Sequence, residues 1–122
     1  MGGFFLDDLI RSIVHHVRRE TRLRKASNWP DVDATISRFT FFDDLGHLVR
    51  PVLTFSYHVK GELLYGSAQG HPINAGRVNE IGEAVDSIST LRVRYDPADP
   101  ASSRLLNQDN PKIPFDIDHL VS

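Results

Sequence analysis

Apolar residues recur along the first part of the chain with the period of a helix. Leu6, Leu9, Ile10, Ile13, Val14 and Val17 fall at i, i+3, i+4, i+7, i+8 and i+11, a continuous stripe on a 3.6-residue repeat. The pattern predicts an amphipathic helix from Phe4 to about Ala26. Asp7 and Asp8 occupy its first turns and Arg18, Arg19, Arg22, Arg24 and Lys25 its last, the arrangement that complements the helix macrodipole. Asn28-Trp29-Pro30 ends it, because the residue before a proline is pushed out of the α region.

From Asp31 the period changes to two. Val32, Ala34 and Ile36 share one parity, Phe39 and Phe41 the other, and the switch predicts a β-bulge near Ser37 or Arg38. Asp43-Asp44-Leu45-Gly46 reads as a turn. Then Val49, Pro51, Leu53, Phe55, Tyr57 and Val59 alternate with Arg50, Thr54, Ser56, His58 and Lys60, a strand with one buried and one wet face. Pro51 lacks an N–H, which places that end of the strand at an edge or outside the pairing. Lys60-Gly61 suits a tight antiparallel hairpin into Glu62-Leu63-Leu64-Tyr65, with positive φ at Gly61. Val78, Ile81, Val85 and Ile88 restore the helical period, predicting a second helix over 75–88 capped by Asn74, although Gly82 inside it costs on the order of 1 kcal/mol relative to Ala. Thr90 to Asp96 reads as a fourth strand. Pro97, Pro100, Pro111 and Pro114 then mark an extended tail.

Two of these segments carry a resemblance. Tyr57-His58-Val59-Lys60-Gly61-Glu62-Leu63-Leu64-Tyr65-Gly66 resembles the Tyr-x-Val-x-Gly-x-x-Tyr-x-Gly hairpin of a large bacterial family of unknown function, small β-rich domains usually tethered to membranes by flanking helices. Leu91 to Leu105, with Tyr95-Asp96-Pro97, Pro100 and Ser103, is similar to that family's closing strand and turn, and Trp29 and Thr35 fit its opening Trp and Thr. The likeness covers about residues 29–106 and implies a compact antiparallel sheet. The membrane helices common in the family are missing, and the glycine that follows the Thr is Ile36 here, so tethering does not carry over. The resemblance implies no activity. On physical grounds alone, Gly61 serves a turn, Tyr57 and Tyr65 bring amphipathic rings to the core edge, and Gly66 permits close backbone approach.

Length and composition set the frame for these elements. With 122 residues, 40% hydrophobic and 25% charged, the chain fits one globular domain, divided as an N-terminal amphipathic helix (1–28), a β-rich domain with an inserted helix (29–106) and an extended C-terminal tail (107–122). The absence of Cys excludes disulfides and thiolate chemistry. No apolar run approaches the roughly 20 residues that span a bilayer, and the early Asp7-Asp8 interrupts any secretory pattern; a cytoplasmic location is expected, with peripheral membrane contact as a variant. Net charge is −2 overall, but residues 1–28 hold six basic side chains against three acidic. The basic excess sits at one end.

Chemistry is sparse. His15 and His16 point about 100° apart on a helix, His47 and His71 lie in turns, His58 on the wet strand face and His119 in the tail. None has metal-ligand spacing. Asp96 and Asp99 read as turn residues before prolines. No nucleophile elbow or phosphate loop is present. The expectation is no catalytic, cofactor-binding or metal residue. One interaction patch is expected, Arg18, Arg19, Arg22, Arg24 and Lys25, with Trp29, Tyr57, Gly61, Tyr65, Gly66, Tyr95, Pro97 and Pro100 as structural motif residues.

The predicted fold is therefore α+β: N-terminal helix, three-strand antiparallel meander, second helix, fourth strand and tail, forming a small curved sheet or partial barrel. The functional expectation is a non-catalytic binding or protein-interaction module. Its partners would be another protein or a second copy of the chain, engaged through the N-terminal helix or the sheet edge. The contrasting expectation is a peripheral module held at an anionic membrane surface by the basic helix, and a small-ligand protein or enzyme stands third. The acidic remainder argues against nucleic acid.

Overall fold

The computed structural model describes residues 28–119. The segment read as an N-terminal helix, with its basic patch, lies outside the described residues. Six strands follow: β1 (Asp31–Asp43), β2 (Leu48–Val59), β3 (Glu62–Gln69), β4 (Ile73–Asn74), β5 (Leu91–Asp96) and β6 (Asp99–Arg104). One helix, α1 (Val78–Asp86), lies between β4 and β5, preceded by a 3₁₀ turn at Ala75–Arg77. All pairings are antiparallel, in the order β3-β2-β1-β5-β6, with β4 also on β2.

The period-two residues form strands because alternate side chains face a common core. Along β2, Val49, Pro51, Leu53, Phe55, Tyr57 and Val59 are buried, while the residues between them are partly or fully exposed. In β1 the register against β2 shifts between Ile36 and Arg38. That bulge turns Phe39 and Phe41 to the side already occupied by Ala34 and Ile36, so both parities reach one core. At the β2–β3 turn Lys60 has φ 53° and Gly61 φ 82°, the twin positive angles of a type I′ hairpin, which match the twist of the flanking strands. Asn74 caps the 3₁₀ turn by accepting from Gly76 N at 2.8 Å. Ile81 and Val85 of α1 are buried against the sheet.

The sheet curls until β3 lies beside β6, nearly closing. Gly66 makes this possible: a Cβ there would stand 2.6 Å from the Phe55 ring and 2.6 Å from Ser103 Oγ. The Tyr57 hydroxyl crosses the same seam and donates to Pro100 O at 2.7 Å. Beyond β6 the chain continues the closure. Gly70 bridges Ile117, His71 N donates to Asp116 O and Asp118 N donates to Gln69 O. Leu105, Ile113, Phe115 and Ile117 are buried in the core.

Two expectations change here. Six strands form rather than four: β6 arises within the stretch read as an extended tail, because Asp96 Oδ1 accepts from Ala98 N at 2.9 Å and turns the chain back onto β5. The helix is shorter than 75–88, its first turn being 3₁₀. β2 is central, paired with β1 on one side and with β3 and β4 on the other. Pro51 is tolerated because it falls in the gap between the β3 pairing, which ends at Val52↔Gln69, and the β4 pairing, which begins at Val49↔Ile73; its carbonyl still accepts from Gly70 N.

The side chain of Asn110, 7% exposed, completes a strand that β6 leaves short. Its Oδ1 accepts from Arg92 N, and its Nδ2 donates to Arg92 O and Leu106 O, all at 2.8–2.9 Å. Asn110→Ala orphans these buried backbone groups and should lower stability by about 2–4 kcal/mol, read as a fall in urea midpoint at unchanged m-value. Gly66→Ala should cost about 1–3 kcal/mol through overpacking, in the same assay.

Candidate interaction groove

β1 outruns its partner on one side. β5 pairs with it only from Asp31 to Ala34, whereas β2 pairs with it as far as Asp43. From Thr35 onward no strand among the described residues covers the opposite edge. Beside this free edge an open groove of about 520 Å³ runs between β1 and α1, lined by Ile36, Ser37, Arg38, Phe39 and Phe41 on one side and Gly82, Val85, Asp86 and Ile88 on the other.

Each wall follows from local sequence. The bulge brings Phe39 and Phe41 into line with Ile36, and the two rings meet edge to face at 5.0 Å. Phe115 stacks on Phe39 at 6.0 Å. Ile36, Phe39, Phe41 and Ile88 remain only partly buried at the margin of the core. On α1, Gly82 leaves the wall flat: a Cβ there would meet nothing within 4 Å. A mid-helix glycine costs roughly 1 kcal/mol relative to Ala, and no neighbour among the described residues uses the space it leaves. Glu83 and Asp86 are exposed on α1, with Arg38 on the β1 rim.

A second cluster surrounds the seam. Arg94 holds Asp109 in a two-pronged pair at 2.7 and 2.9 Å, which keeps the Asp109 carboxyl below its ordinary value. Arg50 donates to Asp118 at 3.0 Å, to Gly70 O at 3.1 Å and to Asp44 at 3.3 Å. Burial raises the Tyr57 hydroxyl above its ordinary range, reinforced by the Asp99 charge and opposed by its Ser103 hydrogen bond. Burial likewise lowers His119, followed by the charge of Arg104 and then of His71, against a raising contribution from Asp118.

The motif residues separate into two groups. Tyr57, Gly66 and Pro100 converge at the seam, Tyr95 packs on the core margin, and Trp29 lies half-buried before β1. Gly61 and Pro97 sit in the two hairpin turns, and Tyr65 stands 61% exposed on the outer face. None lines the groove. Its residues went unread as a site because they lie on two elements some forty positions apart; the one local signal was the doubled parity of Ile36 and Phe39-x-Phe41. Among the described residues, no group of three or more His, Asp or Glu is placed to hold a metal ion, and no helix is long and apolar enough to cross a membrane.

Compared with models of known protein families, with curated proteins and with solved structures, the chain matches none.

The seam carries a pH dependence. With His119 depressed below 6.5, the unfolded chain takes up that proton more readily than the folded one. This contribution to stability is complete above about pH 6.5 and declines as pH falls through the lower folded value. Asp109, depressed below 3.8, adds a further loss in stronger acid by the same sign. Urea midpoints measured from pH 8 to pH 3 should show both declines, and His119→Gln should remove the first alone.

Proposed function

We propose that the chain is a non-catalytic protein-interaction module whose binding site is the groove between β1 and α1, and that the groove receives an amphipathic helix. The observation that supports this reading is the run Ile36, Phe39, Phe41, Val85 and Ile88, an apolar floor at the core margin beside an unpaired strand edge. A helix laid along it buries the floor through residues at i, i+3, i+4 and i+7. It also shields the free ladder groups of β1, one of the ways proteins cover an exposed strand edge. The flat wall at Gly82 admits close approach of a helix.

Catalysis fits the groove less well. Among the described residues its ionisable lining groups are Arg38 and Asp86, one on each wall, with no histidine or paired carboxylate lining the groove to serve as a general base. The likeness of the Tyr57–Gly66 hairpin and the Leu91–Leu105 closing segment to the β-rich bacterial domains belongs to this proposal as well. It bears on architecture and supplies no activity.

A synthetic peptide copying residues 4–26, whose stripe has the required spacing, is a suitable probe. Added at millimolar concentration to the full chain, it should move the methyl NMR signals of Ile36, Val85 and Ile88, and Phe41→Asp should abolish those shifts. Shifts confined to Val52, Leu63 and the outer sheet face would contradict the proposal.

A further inference from the structure

We infer that the resting occupant of the groove is the chain's own N-terminal segment, Phe4 to Ala26, docked in cis as an amphipathic helix that a partner must displace. The inference rests on the groove reading above and names the occupant.

The first argument is reach. The described chain begins at Asn28 and enters β1 at Asp31, the strand that forms one wall. Along β1, Ile36 to Phe41 lie about 26–43 Å from Asn28 at 3.3 Å per residue. Along a helix folded back from Asn28, Val17 to Leu6 lie about 17–33 Å away at 1.5 Å per residue. The two ranges overlap with no linker to stretch.

The second argument is complementarity. The segment offers six aliphatic residues in one stripe, Leu6, Leu9, Ile10, Ile13, Val14 and Val17, and the groove offers a floor of matching character with no cover among the described residues. Folded back in this direction, Asp7 and Asp8 lie about 30–32 Å from Asn28 at 1.5 Å per residue, level with Arg38 at about 33 Å along β1. The acidic end of the segment thus meets the basic residue of the groove rim.

The third argument is Gly82. It keeps the α1 wall bare at a stability cost that no described neighbour recovers, and a helix backbone passing there recovers it by packing. Docking in cis reduces the apparent affinity for any competing helix by the fraction of time the groove is free.

The test uses the full chain and the 4–26 peptide. Breaking the stripe with Ile10→Asp and Val14→Asp should free the groove and tighten binding of the peptide at least about tenfold relative to the unaltered chain. Equal affinity for the two chains would overturn the cis occupant and leave the groove reading intact. Absence of binding to the broken-stripe chain would overturn both.

A paramagnetic label decides the matter independently of whether that variant folds. The chain has no Cys, so Glu83→Cys gives a single attachment point at the groove rim. In an isotope-labelled full chain the spin label should broaden the amides of residues 6–17. In a mixture of spin-labelled unenriched chain with isotope-labelled chain lacking the label, those amides should stay sharp. Sharp signals in both samples, or broadening in the mixture, would overturn docking in cis, the latter in favour of a second copy.

Discussion

β5 runs three residues, Leu91 to Val93, beyond its pairing with β6, and the rest of the molecule depends on how that shortfall is met. β6 pairs with β5 from Arg94 onward, which leaves the peptide groups of Arg92 facing the interior without a strand. The Asn110 carboxamide takes both, as donor and acceptor, and ties Leu106 as well. A primary amide presents the same pair of groups as a peptide, so one side chain stands in for a strand residue. Left unmet, each buried group would cost on the order of 1–3 kcal/mol, a sizeable share of the margin by which a domain is stable. Arg94 and Asp109 fix the same turn by charge, and Asn107 holds Phe115 O and Ile117 N.

Once that turn is held, the segment Leu105–Asp118 has one place to go. It runs back under the sheet, adds Ile113, Phe115 and Ile117 to the core and joins β3 at Gly70. Closure is complete on that side and incomplete on the other. The long β1–β2 hairpin projects past β5, and Phe115 stacks on Phe39 at its inner face. The free edge of β1 and the groove beside α1 are therefore the remainder of the same construction: the C-terminal segment seals one margin of the curled sheet, and no strand among the described residues covers the opposite margin.

Much of this was legible in the chain. The alternation from Val49 to Val59 read correctly because β2 is central and meets the core along its whole length. The bulge near Ser37 was visible because a change of parity has few other causes, and Lys60-Gly61 because a type I′ turn demands positive φ at both positions. β6 was hidden for a physical reason. Asp99-Pro100-Ala101-Ser102-Ser103-Arg104 has no large apolar side chain, and its inward contacts are made by a backbone carbonyl and a serine at the seam. Asn107 and Asn110 drew no reading, since nothing in their neighbourhood announces that Asn110 completes β5 at Arg92 and that Asn107 holds Phe115 and Ile117. The period-two run Ile113, Phe115, Ile117 was the available sign that the final segment packs rather than trails. The groove was least legible: its walls meet only after the sheet curls.

Native-state hydrogen exchange on the full chain tests the closing segment most directly. If Asn110 and the seam hold the sheet shut, the amides of Arg92, His71 and Asp118, which donate to Asn110, Asp116 and Gln69, should exchange only through global unfolding, with the same opening free energy as Phe55 and Leu53 in β2. Exchange of those three amides through a local opening several kcal/mol below the global value, with β2 still protected, would show that the C-terminal segment is an appendage and would contradict the account.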